Sequence, residues 1–158
     1  MNNVAEVREQ LGGDWIPRIY AEKVRTQRTR SFQFDVPERE NKTEILHTLL
    51  GIELKVGNKR FSCPDLATAR YLRIFARFGC RNIAVPYDIT KISALADDLE
   101  AAWHGLLLLH DNLVKNKSPQ MKRRERSGLL KQVRVEIGEL GAGEAIPEFK
   151  KSTKQRDT

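Results

Sequence analysis

Three side chains stand out for chemistry they could share. Asp35, Glu53 and Lys55 are two carboxylates and one ammonium group, and the last pair lies two residues apart in IELKV. There Ile52, Leu54 and Val56 alternate with Glu53 and Lys55, a period of two that reads as a half-buried strand with both polar groups on one face. A second acid from a neighbouring strand would complete an oxygen-ligand site for a hard cation, suited to phosphodiester hydrolysis. Asp35 can supply it, because in SFQFDV it alternates against Phe32, Phe34 and Val36. The competing assignment is a surface ion pair on a half-exposed strand, which contributes little energy.

Cations offer a second chemistry. The 158 residues carry a net charge of +7, and the excess is concentrated. Lys115 to Arg134 holds eight basic residues against the single acid Glu125, while Asn82 to Val114 sets Lys91 against five acids. Basic groups recur on three segments: Arg25, Arg28 and Arg30 in KVRTQRTR, Arg70, Arg73 and Arg77, and Lys122, Arg123, Arg124 and Arg126 in MKRRER. Lys59 and Arg60 add to them. Spacings of three and four align Arg70, Arg73 and Arg77 on one helix face. Converging on one side, these groups would form a phosphate-binding surface, with DNA or RNA as the expected partner. Left apart, they are solvated faces without a shared role.

The elements that must position these groups follow from periodicity. NVAEVREQL reads as a short amphipathic helix stopped by Gly12-Gly13. An edge strand is expected from Ile19, since Pro17 cannot donate to a ladder, and a second strand over 31–36. Ile45, Leu46, Leu49 and Leu50 fit one face of a helix over 39–50 with Gly51 as its C-cap, although TEILHTLLGIELKV can also run extended. Gly57-Asn58 turns the strand at 52–56 back into Arg60-Phe61-Ser62. Pro64 and Asp65 open a helix that ends at Gly79, and Asn82–Pro86 reads as a buried strand. Strand, helix, strand at this length predicts a crossover and a parallel pair. Beyond Thr90, a plausible N-cap, Ile92, Leu95, Leu99, Ala102, Leu106, Leu109 and Leu113 repeat at helical spacing, and a further helix starts at Ser118-Pro119 and ends at Gly141. The short connection makes an antiparallel helical hairpin, whose stripe packs on the sheet or serves as a dimer or partner surface.

The fold class expected is therefore α/β (or α+β), a small mixed sheet with a strand–helix–strand crossover and a C-terminal helical hairpin. One domain spans 1–142, with the sheet core in 1–90 and the hairpin in 91–142. Residues 143–158 form a basic tail expected to be disordered.

The order helix, strands, Glu-x-Lys strand, helix, strand over residues 3–90, with the trio Asp35, Glu53 and Lys55, resembles the PD-(D/E)xK restriction-endonuclease-like core. The resemblance implies that Asp35 and Glu53 hold Mg²⁺, that Lys55 positions or activates the attacking water, and that Glu6 is an additional acid. Three departures are visible: Asp35 precedes Val36-Pro37 instead of following a proline, fourteen helical-looking residues stand between the second and third strands, and Arg70 stands where many relatives carry glutamine or lysine.

The remaining chemistry-bearing residues form no set. Cys63 and Cys80 flank a helix and so lie on the order of 20 Å apart, too far for a disulfide. His47, His104 and His110 match no metal or nucleophile pattern. Tyr87-Asp88 follows a strand end, where open α/β sheets place ligands. No run is long enough to span a bilayer and no apolar leader is present, so a cytoplasmic protein is expected. No cofactor is fixed, and Mg²⁺ is implied only for a nuclease. The reading is a nucleic-acid-binding protein with a basic surface and an open question of metal-dependent cleavage; the alternative is a non-catalytic adaptor or assembly protein using the helical hairpin.

Overall fold

The computed structural model describes residues 3–143. The tail expected to be disordered lies, apart from its first residue, outside them. Helix α1 (Asn3–Leu11) is followed by α2 (Ile16–Ile19), which continues as a π-helical turn over Tyr20–Val24. Then come β1 (Thr29–Gln33), β2 (Thr43–Thr48), β3 (Gly51–Val56), β4 (Lys59–Cys63), α3 (Leu66–Phe78), β5 (Asn82–Pro86), α4 (Ile92–Leu113) and α5 (Pro119–Leu140). The class is mixed α/β with a C-terminal helix pair, as the periodicity implies.

Helix α3 is the centre. Eight of its residues are buried, Thr68, Ala69, Leu72 and Ala76 as well as Tyr71, Ile74, Phe75 and Phe78, so the helix is covered on most sides. The sheet β2–β3–β4 lies against one side and α4 against another. Asp65 caps its start by accepting from the Thr68 N–H at 2.7 Å, one of the orphan donors of a first turn. Gly79 ends it in the left-handed region (φ +78°).

Three expectations change. The segment after Gly13 is helical, not an edge strand. Pro17 occupies the first helical turn behind the extended Trp15, a position where its missing N–H costs nothing. Residues 43–48 are a strand, not a helix. Apolar residues there satisfy both periods, and the free edge of β3 decides, pairing Ile45 with Leu54 and Thr43 with Val56. Gly51 (φ +126°) consequently serves a hairpin turn instead of a helix cap. Finally, the expected parallel pair does not form. The two sheets are β1–β5 and β2–β3–β4, both antiparallel, so α3 carries the chain from one sheet to the other. Phe32, Phe34 and Phe61 join them edge to face, with ring centroids 4.9–6.4 Å apart.

Of the stripe along α4, Ile92, Leu95, Leu99, Ala102 and Leu106 are buried in the protein's own core, and Leu109 and Leu113 are partly buried against it. Helix α4 packs on α3 and α1, while α5 makes its close approaches to α1, α2 and α3. The cap at the start of α4 also differs: Asp88, not Thr90, accepts, and it caps the short turn Ile89–Lys91. The Tyr20 hydroxyl donates to the Gly141 carbonyl at 2.6 Å and accepts from the Ala84 N–H at 2.9 Å, tying α2, β5 and the end of α5 together. Glu136 of α5 accepts from the Trp15 indole at 2.8 Å and pairs with Arg8.

Candidate functional site

The carboxylate trio is not brought together. Strand β3 does point Glu53 and Lys55 to one face, where Arg60 stands opposite Lys55 and donates to Glu53 at 3.3 Å. Asp35 instead pairs with Lys59, the residue before Arg60 on β4 and opposite Val56 on the other face. Successive strand residues point to opposite faces, so the two acids answer to opposite sides of one sheet. The Lys59 ammonium holds the Asp35 carboxyl below its ordinary value. Glu6 accepts from Gln10 within α1. Among the described residues no three His, Cys, Asp or Glu side chains are grouped to hold a metal ion.

The basic segments divide. Arg25 donates to the carbonyl of Leu140 at 3.0 Å and to that of Gly143, closing the end of α5. Arg28 lies over the Tyr87 ring, 5.2 Å from its centroid, and Arg30 is exposed on β1. Leu140 and Arg126 are separated by about 20 Å along α5, so this segment faces a different end of the molecule from MKRRER. Arg70 is consumed by Glu100 (2.7 Å) and Asp97 of α4, which raise its pKa. Tyr87-Asp88 is a lead-in to α4, as Asp88 accepts from Thr90.

Arg73, Arg77 and the start of α5 do come together. The chain between β1 and β2 is laid over the end of α3. The Asn41 N–H donates to Arg77 O at 3.1 Å, and the Asn41 amide donates to Ala76 O and Pro37 O. Gly79 makes this possible: a Cβ there would stand 2.4 Å from the Arg39 backbone. The overlaid segment walls a groove of about 730 Å³ lined by Glu40, Asn41, Lys42, Thr43, Arg77, Trp103, Leu107 and Arg126. Arg77 lies over the Trp103 ring (5.2 Å), and both Arg73 and Arg77 donate Nε–H to the Thr43 hydroxyl, at 3.0 and 3.2 Å. Burial first, then the Arg73 charge, lowers the Arg77 pKa. Arg126 closes the far end in a two-pronged pair with Glu40 (2.6 and 2.8 Å), which raises its pKa.

Next to this groove a second hollow is lined by Glu38, Arg39, Glu40, Arg123, Arg126, Lys131 and Arg134. Lys122, Arg123 and Arg124 are exposed beside it. The flank thus adds Arg39, Lys42, Lys131 and Arg134 to the residues singled out by sequence. A helical reading of 39–50 gives no reason to set Arg39 and Lys42 beside α5; the pairing of 43–48 with β3 does not either, and only the packing of the 37–43 segment shows it.

Two features lie outside the flank. Leu49 and Leu50, at the tip of the β2–β3 hairpin, are 106% and 94% exposed. His110 is buried with its Nδ1 unpartnered, whereas His47 and His104 are exposed. Both cysteines are free and buried, and burial pushes the Cys80 thiol up to about 12, leaving it inert. No helix among the described residues is long and apolar enough to cross a membrane.

No protein-family model matches the chain, and neither a curated protein nor a solved structure matches it significantly.

Proposed function

We propose that this protein binds nucleic acid through the flank built from the 37–43 segment, the second half of α3 and the first half of α5. The carrying observation is the gathering of Arg39, Lys42, Arg73, Arg77, Lys122, Arg123, Arg124, Lys131 and Arg134 around two hollows whose lining acids are Glu38 and Glu40. Each of those acids is already paired, Glu40 with Arg126 and Glu38 with Arg81. A cationic strip of this kind neutralises backbone phosphates and releases their counterions, giving affinity without sequence readout. Metal-dependent cleavage is not part of the proposal, because Asp35 and Glu53 serve opposite faces. The test is the affinity for a labelled oligonucleotide as salt is raised. A steep linear fall of log K with log salt is expected; salt-insensitive or absent binding ends the proposal.

A second reading, an assembly role, is supported by the hairpin tip. Two adjacent leucines in water at a turn cost solubility and contribute nothing to the core. They suit capture by a partner's apolar pocket, and pull-down with and without Leu49→Ser/Leu50→Ser tests it.

A further inference from the structure

We propose that Arg73 and Arg77, with Lys42, form a discrete pocket for one phosphate oxyanion in the groove between the start of β2 and α4. The inference rests on the nucleic-acid reading above and names its anchoring contact.

The argument starts from donors. A guanidinium carries five N–H groups. Arg73 and Arg77 each spend Nε–H on the same Thr43 hydroxyl, so their Nη groups keep their donors. Among the described residues neither arginine has a carboxylate within ion-pair distance. The two acids whose charges reach Arg77 are held elsewhere, Glu100 by Arg70 and Glu40 by Arg126. Two like charges four residues apart on one helix face repel, and burying one sharpens that repulsion. An anion between them relieves it. The forked Nη pairs match tetrahedral oxygens, which accept from several directions at once.

The groove also says what is not read. One face of Trp103 is covered by Arg77, and Phe78 meets the ring edge to face at 5.0 Å. No aromatic face is left for a base to stack on, so the pocket takes phosphate and not base. Two sources share that chemistry: the backbone of a nucleic acid, and free phosphate.

The experiment has two arms. In the first, a short fluorescent oligonucleotide is titrated into wild type, Arg73→Gln, Arg77→Gln, Arg77→Lys and, as a control, Arg70→Gln. Each glutamine variant is expected to weaken binding about tenfold and reduce the salt slope by about one. Arg77→Lys is expected to restore the slope but not the full affinity, and Arg70→Gln to leave both unchanged. Leu107→Glu places a carboxylate in the groove wall with the arginines intact. It should weaken binding similarly, which covers the case in which Arg77→Gln fails to fold. In the second arm, inorganic phosphate is titrated while the arginine Nε–H resonances are followed by NMR. Movement of the Arg73 and Arg77 signals with loss of oligonucleotide affinity in the variants supports the pocket on nucleic acid. Movement without any oligonucleotide binding by wild type keeps the pocket, assigns it to free phosphate and ends the nucleic-acid reading. Oligonucleotide binding identical in all variants, with still resonances, overturns the pocket and leaves the wider flank standing. If neither ligand binds, both fall.

Discussion

Arg70 and Arg77 lie two turns apart on the same face of α3, and the sequence treats them alike. Their surroundings do not. The first turns of the helix face the acidic start of α4, where Glu100 and Asp97 neutralise Arg70. The later turns face Trp103, Leu107 and the 40–43 segment, where a neutral hydroxyl is the acceptor. One end of the row is therefore a structural brace, and at the other Arg73 and Arg77 make no ion pair among the described residues. The difference shows that a run of aligned cations acquires meaning only from the acids that a second element sets against it.

The comparison can be broken most severely at Gly79. Alanine there takes a left-handed conformation and meets the Arg39 backbone, so the overlaid 37–41 segment must lift. A loss of about 3 kcal/mol in chemical unfolding is expected, together with loss of the groove. Next, Arg70→Ala leaves Glu100 and Asp97 without their partner and is expected to cost about 1–2 kcal/mol, discounted for partial exposure. Oligonucleotide affinity should not change. The converse pattern, stable but weak-binding, is expected of Arg73→Gln.

A smaller effect is set by pH. Burial first, and next the Arg126 charge, holds the His110 imidazole below its ordinary 6.5, against the pull of Asp111. The unfolded chain then binds the proton more readily than the folded one, so stability is complete above pH 6.5 and falls as pH drops towards the depressed folded value. Unfolding curves for His110→Gln, followed across about pH 4–7, should lose that slope. The smallest effect belongs to Leu49→Ser, which should leave stability within about 0.5 kcal/mol of wild type. A larger change would mean that the hairpin tip is packed in solution.

What the sequence made legible follows the same division between local and distant information. The β3–β4 hairpin, α3 with its Asp65 and Gly79 boundaries, and α5 with Ser118 and Gly141 are written in turn and cap residues beside them. The helix at 16–24 and the strand at 43–48 are not. Pro17 suits an edge strand and a first helical turn equally, and Ile45-Leu46 fit both periods, so the outcome rests on what packs against them. The parallel pair failed for a related reason: the partner of β5 is β1, separated from it by the three strands β2 to β4 and by α3. For the site, the basic segments were visible, but their acid partners Glu100, Asp97 and Glu40 lie far off in the chain. The Asp35, Glu53 and Lys55 trio shows the same limit, since strand alternation fixes the direction of each side chain but not which sheet face a third residue reaches.

The Tyr20 hydroxyl, shared between Ala84 and Gly141, has a consequence for how the protein is made. Its two partners emerge from the ribosome long after it does, and Arg8 and Trp15 likewise await Glu136. The beginning of the chain must therefore stay unfinished until the end of α5 has been synthesised, and closure comes as one late, cooperative event. Trimming the final turn of α5 should loosen the first helices, a coupling that proteolysis near residue 20 would register before any change at the basic flank.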